Sequence, residues 1–284
     1  NQFSWDFNRN NGIDPEKFDF EGVAVHEIGH TLGFLYSGVN PIGSCQQAGD
    51  TNCSVVPGIM DLFRFEQGSA PSTPSEFATF ARSLNPEVET VFSDSRSQFA
   101  MSTGFSGDGF GAEHWKYFGV YGTSSRRRTD VVFSHRTFRK MFSEKRKRFR
   151  RSLLTIMTLG VLLCPLHARA LTIEFAGLEG LVGNVPALDA LARAADQWEA
   201  IFVNPMTVNI QTSMFNVGDN SLAFGGGSIV TESYDTVRNA LVADAMSSPS
   251  KNINTFLPTS TELSFDAPTG ISVNASQVLF SETI

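Results

Sequence analysis

His26, Glu27 and His30 carry side chains that could bind a metal ion and activate a water molecule. On a helix, residues four positions apart share a face, so both imidazoles would point the same way. Two neutral imidazoles one turn apart suit a tetrahedral Zn²⁺ ion. Glu27 lies beside them, where its carboxylate can take a proton from water as that water attacks a carbonyl. The motif therefore predicts one catalytic Zn²⁺ ion with Glu27 as general base; the alternative is a surface helix with two solvated histidines.

Two glycines accompany the motif, and each has an expected role. Gly29 lies between the second and third of these side chains, where it would leave room beside the metal. Gly33 follows the motif and would end the helix with a turn.

A zinc site needs a third protein ligand, and the chain has five histidines. His135 lies in a strongly basic stretch, and His167 lies in a segment typical of export signals. His114 is the one that remains, and we predict it as the third ligand. The alternatives are that His114 is an ordinary loop histidine, or that a carboxylate, Asp61 or Glu66, takes its place.

The composition is that of a folded soluble protein, with 18% charged and 41% hydrophobic residues among 284. The formal net charge of −7 is distributed unevenly. Residues 126–151 hold 12 Lys or Arg and 2 acidic residues, whereas the remainder holds 10 basic and 27 acidic residues. A body this acidic argues against nucleic-acid binding, which needs a basic surface. We expect a monomer that acts on a protein or peptide.

Residues 141–170 show the three parts of a secretory signal peptide. Lys145 to Arg151 is a positive region, Leu153 to Leu163 is an apolar stretch of 11 residues, and residues 168–170 form an A-x-A cleavage pattern. A bilayer needs about 20 apolar residues, so no stable membrane span is expected. We predict export to the extracellular space or the cell surface; the alternative is a buried core helix.

Signal peptides are N-terminal, whereas this one follows a segment with evident chemistry. The simplest explanation is a rotated order, in which the natural chain starts at Met141, runs to Ile284 and continues into Asn1. The alternative is a fusion of two genes. For the rotated order, the expected organisation is 171–284 as the N-terminal part of a catalytic domain, 1–116 as its zinc-helix and C-terminal part, 117–140 as a junction of unrelated origin, and 141–170 as the signal peptide.

Hydrophobic periodicity predicts strands that alternate with amphipathic helices. The expected strands are 171–175, 206–210, 222–230 (with Gly225 to Gly227 as a bulge or bend), 263–265 and 271–280, the last continuing into 3–7. The expected helices are 20–34 (with Asp19 as its cap), 186–202 and 234–245. Residues 63–94 are expected to be loop-rich and partly helical. This pattern predicts an α+β fold.

The stretch HEIGHTLGF at 26–34 resembles the zinc helix of the metzincin peptidases, H-E-x-x-H-x-x-G-x-x-H/D. The context Glu113-His114-Trp115 resembles the leishmanolysin-like branch, in which an insertion separates the glycine from a later histidine. Over 1–116 and 141–284 the chain is similar to secreted bacterial metalloproteases of that type. The resemblance implies a zincin fold: a twisted mixed sheet with backing helices, an active-site helix beneath the cleft and a smaller C-terminal subdomain.

Two positions depart from the metzincin pattern. Tyr36 stands where the family has its last ligand, and its phenol could instead bind the metal weakly or donate to developing charge on an oxyanion. The family also has a methionine-containing turn after the third ligand, and no such turn is clear after His114. Either that turn is missing from this chain, or Met60 plays its part; the remaining alternative for Met60 is an ordinary core residue.

Cys45 and Cys53 are the two cysteines outside the signal-like segment, and an even pair in an exported protein predicts a disulfide. The run Asp6-x-Asn8-x-Asn10, followed by Asp14, resembles a calcium loop but lacks the Gly and the bidentate Glu of an EF-hand. We prefer a polar hairpin here, with a bound Ca²⁺ ion as the alternative.

These features together predict a secreted zinc-dependent endopeptidase that hydrolyses peptide bonds with a metal-activated water. The alternative from another functional class is a catalytically inactive, secreted binding or surface protein on the same zincin scaffold.

Overall fold

The structure is a computed structural model, and it describes residues 4–50, 52–95, 97–104, 112, 114, 171–202, 205–215, 223–247 and 249–281. The predicted signal peptide at 141–170 and the junction at 117–140 lie outside these residues. The same holds for Glu113, Trp115 and the two ends that the rotated order would join, 1–3 and 282–284. Those predictions therefore stay predictions.

Helices and strands are mixed along the described chain, which confirms the α+β class. The helices are α1 (Phe20–Thr31), α2 (Val39–Ala48), α3 (Pro74–Thr79), α4 (Val185–Glu199) and α5 (Tyr234–Ser247). The strands are β1 (Trp5–Asp6), β2 (Phe18–Asp19), β3 (Ser54–Val55), β4 (Arg64–Glu66), β5 (Arg82–Ser83), β6 (Thr90–Ser93), β7 (Gln98–Met101), β8 (Leu171–Glu179), β9 (Met206–Ser213), β10 (Ile229–Ser233), β11 (Phe265–Asp266), β12 (Ser272–Val273) and β13 (Gln277–Ser281). No helix within these ranges is both long and apolar enough to cross a membrane.

The chain forms two compact units, and the first contains the described residues of 1–31 and 123–226. In it, β8 and β9 pair in parallel, and α4 is the crossover that parallel neighbours require. Helix α4 begins after Asn184, whose side chain accepts a hydrogen bond from the backbone N–H of Ala187. Its buried face is rich in alanine, so another helix can approach closely, and α1 packs there.

Helix α1 starts at its predicted cap and is anchored to α4. The Asp19 side chain accepts a 3.0 Å hydrogen bond from the Gly22 N–H, one of the free donors of the first turn. The Glu21 carboxylate accepts hydrogen bonds from Arg193 and Gln197 of α4, each 2.8 Å long. The helix ends at Thr31 rather than at 34. Gly33 follows with a φ of 107°, a conformation that favours glycine, as predicted.

The second unit contains the described residues of 32–122 and 227–284. Its largest sheet is antiparallel in the order β4–β6–β7. The remaining pairs join the two parts of the unit or lie within its second part: β5 with β11 and β3 with β12 in parallel, and β10 with β13 antiparallel. The main core likewise combines both parts; its buried members include Leu62, Phe65, Phe77, Tyr234, Leu257 and Val278.

Three predicted elements differ from the structure. The strand predicted at 222–230 begins only at Ile229, because the glycines before it have no side chains to pack and lose the most backbone entropy on ordering. The strand predicted at 271–280 is split into β12 and β13 at Asn274, whose side chain accepts hydrogen bonds from Ser276 and stabilises a turn. The segment 63–94 contains α3 as expected, but also β4, β5 and β6.

Candidate metal centre

His26 and His30 lie on one face of α1, where their spacing predicts them. Their Nε2 atoms are 3.0 Å apart, and their ring planes are nearly perpendicular, at 87°. Both residues are half-buried. The helix therefore presents two imidazole nitrogens at one point.

His114 joins these two histidines in a single group. Each of the three offers one ring nitrogen, and these nitrogens all lie within 4.8 Å of one another. Zinc–nitrogen bonds of about 2.0–2.1 Å place two nitrogens of a tetrahedral ion ~3.4 Å apart, so three nitrogens this close together could hold a metal ion. Among the described residues, no second group of three His, Cys, Asp or Glu side chains has this geometry.

Glu27, the residue after the first histidine, has a carboxylate that accepts a hydrogen bond from the backbone N–H of Gly225. Burial raises the pKa of the Glu27 carboxyl, while its interactions with His30 and with Gly225 oppose the rise. A carboxylate with a raised pKa takes a proton from water more readily than an ordinary one. Such a group can serve as a general base.

The role of Gly225 was missed by sequence analysis, which predicted only a bulge or bend there. A Cβ at Gly225 would overlap the backbone carbonyl oxygen of Glu27 and would lie 2.8 Å from the Glu27 Cα. The two backbones therefore touch, and only glycine allows that contact. The signal in the sequence was the run of three glycines at 225–227, which marks a place where another chain segment can approach closely.

Gly29 has a packing role that sequence analysis did not predict. A Cβ at this position would lie 2.9 Å from Cζ2 of Trp198, on α4. The glycine thus makes room for an indole that packs against the helix; its expected role beside the metal stays a prediction. No such signal is present in the sequence, because Trp198 is distant from Gly29 in the chain and the contact depends on how α1 and α4 pack.

Tyr36 and Met60 both lie in the second unit, and neither shows a metal-binding role. Tyr36 is half-buried, and burial together with the negative charge of Asp61 raises the pKa of its phenol. The phenol therefore stays protonated and able to donate a hydrogen bond. Met60 is 7% exposed in a 3₁₀ turn at Ile59–Phe63, a burial that suits a core residue. Their auxiliary roles stay predictions.

Asp61, one of the two alternative ligands, has a carboxylate that is engaged in hydrogen bonds with neighbouring chain segments. It accepts hydrogen bonds from the Ser37 hydroxyl at 2.6 Å and from the N–H groups of Gly38 and Gly58 at 2.7 Å each. Burial raises the pKa of Asp61, and Arg64 and these hydrogen bonds oppose the rise. The other alternative, Glu66, is exposed on β4 and is not a member of the histidine group.

The predicted disulfide is confirmed: Cys45 and Cys53 are bonded, with their Cα atoms 6.3 Å apart. It joins α2 to the residue before β3 and so closes the loop between them.

The candidate calcium loop has the local structure of a polar turn. Both oxygens of Asp6 accept 2.9 Å hydrogen bonds from backbone N–H groups, those of Asn8 and Asp14. The Asn8 side chain in turn accepts from the Asn10 N–H. These contacts favour a polar turn over a calcium loop, since the side-chain oxygens are engaged with the backbone; they also lower the pKa of Asp6. The predicted hairpin is wrong, because the flanking strands β1 and β2 pair in parallel.

The chain was compared with protein-family models, curated proteins and solved structures. No protein-family model, no curated protein and no solved structure matches the chain.

Proposed function

We propose that the protein is a secreted, zinc-dependent endopeptidase of the metzincin type. One observation carries the proposal: a single helix presents His26 and His30 with their Nε2 atoms 3.0 Å apart and holds Glu27 between them in sequence. His114, with its ring nitrogen within 4.8 Å of theirs, is the proposed third ligand. Three imidazoles and a nearby carboxylate that does not bind the metal are the groups that metal-assisted peptide hydrolysis needs.

In this proposal each residue of the chain has a defined task. The three histidines bind Zn²⁺ through ring nitrogens, and the ion would supply Lewis-acid polarisation of the peptide carbonyl and a lowered pKa of water. The Glu27 carboxylate takes the proton of the attacking water and then passes it to the leaving amine. The Gly225 N–H holds that carboxylate in place through its hydrogen bond. A base that is already oriented does not have to be ordered during the reaction.

The secreted location is part of the same proposal. It rests on the signal-like sequence at 141–170, and the Cys45–Cys53 disulfide supports it, because disulfides persist in oxidising compartments. A protein or peptide substrate follows from the chemistry of the site.

The test is the pair of variants Glu27→Gln and Glu16→Gln in the purified chain. Metal content is measured first, and cleavage of quenched fluorescent peptides second. Glu27→Gln should keep one zinc ion per chain and lose cleavage, because an amide of the same shape cannot take a proton. The control Glu16→Gln changes an exposed carboxylate in the same unit and should behave like the unaltered chain.

Two outcomes would contradict the proposal. A chain without zinc at micromolar metal would remove the metal site. A chain that binds zinc but cleaves no peptide, with or without Glu27, would support the inactive binding protein instead.

A further inference from the structure

Arg64 and Asp61 form a fully buried pair in the second unit. Both side chains are 0% exposed, and Arg64 Nε lies 3.5 Å from Asp61 Oδ1. A buried guanidinium is costly unless its donors are matched by acceptors. The acceptors of the Arg64 hydrogen bonds therefore indicate which parts of the chain this buried pair holds in place.

Arg64 donates hydrogen bonds to two points of the chain, the backbone carbonyls of Ser102 and Ala112. Its terminal nitrogens donate to the Ser102 carbonyl at 3.1 and 3.3 Å. One of them also donates to the Ala112 carbonyl, and the other to the Thr90 hydroxyl. Ser102 precedes the glycine-rich stretch of the sequence and Ala112 follows it, so one side chain fixes two points of the chain that lead to His114.

Two further hydrogen bonds complete the attachment. Asn40, at the start of α2, accepts a 2.8 Å hydrogen bond from the Ala112 N–H through Oδ1. The Ser102 N–H donates a 2.8 Å hydrogen bond to the carbonyl of His114 itself. Ala112 is 0% exposed and belongs to a core cluster with Val39 and Ile42 of α2. The backbone of His114 is thus tied to β4 and α2 through residues that do not themselves bind metal.

We propose that Arg64 and Asn40 are positioning residues for the third metal ligand: they set the place of the His114 ring by holding Ser102 and Ala112. The inference rests on the proposed function, in which His114 binds the metal. His26 and His30 share one helix and need no such help. His114 lies outside that helix, so its contribution to the affinity depends on how firmly its backbone is held before the metal arrives.

Zinc affinity, measured by competition with a fluorescent chelator, tests this without reference to catalysis. Asn40→Ala removes the acceptor for the Ala112 N–H and should weaken zinc binding about 10–100-fold, the usual range for residues that orient a ligand. Asn40→Asp keeps an oxygen acceptor and should restore the affinity to near its original value. Arg64→Lys keeps the charge beside Asp61 but loses the forked donors, and should weaken binding at least as much as Asn40→Ala.

The matched control is Asn274→Ala, which removes a half-buried turn-forming asparagine of the same unit. It should leave zinc affinity unchanged. A second control uses the background His114→Ala. Since Asn40 is proposed to act through His114, adding Asn40→Ala to His114→Ala should weaken zinc binding no further.

The outcomes separate this inference from the proposed function. If His114→Ala binds zinc as tightly as the unaltered chain, the third-ligand assignment fails. If His114→Ala weakens binding but Asn40→Ala does not, the positioning inference alone fails, even where Asn40→Ala lowers the unfolding temperature of the zinc-free chain. An equal weakening by Asn40→Ala with and without His114 would also overturn it. Should Arg64→Lys fail to fold, the Asn40 pair decides.

Discussion

Trp198 supports α1, the helix that bears His26 and His30, at two points. Its Cζ2 lies 2.9 Å from where a Cβ of residue 29 would be, and its Nε1–H donates a 2.9 Å hydrogen bond to the Val25 carbonyl. Trp198 is itself 4% exposed. The turn of α1 that contains both histidines therefore rests on one indole, and its position depends on the side chain at 29 being absent.

Gly29→Ala should destabilise the protein by about 1–3 kcal/mol, the usual cost of inserting an extra group into a packed interior. The gain in helix propensity from Ala, up to about 1 kcal/mol, offsets only part of this cost. Urea unfolding followed by tryptophan fluorescence measures the change. Gly68→Ala is the control, because a Cβ there meets nothing within 4 Å. Equal stability of the two variants would show that Trp198 can move aside freely.

Gly225→Ala should impair catalysis while zinc stays bound. The added Cβ would collide with the backbone of Glu27 and push the Gly225 N–H away from the carboxylate. A displacement of about 1 Å at such a group can cost as much as 10²-fold in rate. We expect a fall in kcat of tenfold or more, measured with a quenched peptide, at unchanged zinc content. Unaltered kcat would mean that the hydrogen bond from Gly225 has no part in the reaction.

Zinc should stabilise the folded chain in proportion to its binding. At a free concentration 100 times the Kd, a metal that binds only the folded state adds about 2.7 kcal/mol. Thermal unfolding at several zinc concentrations should therefore show a rising Tm, and His26→Ala should abolish the rise. Mg²⁺, which prefers oxygen ligands, serves as the comparison ion and should have no such effect. A zinc-independent Tm would argue against the metal site.

Loss of the Cys45–Cys53 disulfide should destabilise the second unit. Chain-entropy arguments give about 2.5 kcal/mol for a loop of this size, and the bonded cysteines are 8 residues apart. The double variant Cys45→Ser/Cys53→Ser should unfold at lower urea, and a reductant should lower the midpoint of the unaltered chain but not that of the variant. An unfolding midpoint insensitive to reductant would contradict the prediction.

Tyr234→Phe should cost about 1–2 kcal/mol of stability. The Tyr234 hydroxyl is buried and donates a 2.7 Å hydrogen bond to the Pro258 carbonyl, and burial raises its pKa to about 12. The variant removes this buried hydrogen bond, while the Pro258 carbonyl keeps the one it accepts from Arg238. Ser260→Ala removes an exposed hydrogen bond to Asp235 and should cost far less. Chemical unfolding of both variants gives the comparison, and an equal cost would show that burial does not matter here.

Local features of the structure could be predicted from the sequence. The cap at Asp19, the glycine turn after α1, the limits of α4 and α5 to within a few residues, and the Cys45–Cys53 bond all follow from residues close together in the chain. The shared face of His26 and His30 is of the same kind, since helical geometry alone places residues i and i+4 side by side. Periodicity was enough for the α+β class as well, because it reports which residues each element buries.

Contacts between distant segments were decided by tertiary packing. Nothing near Gly29 or Gly225 in the sequence indicates Trp198 or Glu27 as the neighbour, and neither contact was predicted. Asp61 was weighed as a ligand because a carboxylate in isolation looks like one, whereas burial and three donors from Ser37, Gly38 and Gly58 commit it to the backbone. The sequence alone thus determined which side chains share a helix face; which backbone or ring lies against that face depended on packing, because a close approach is set by the shapes of both partners.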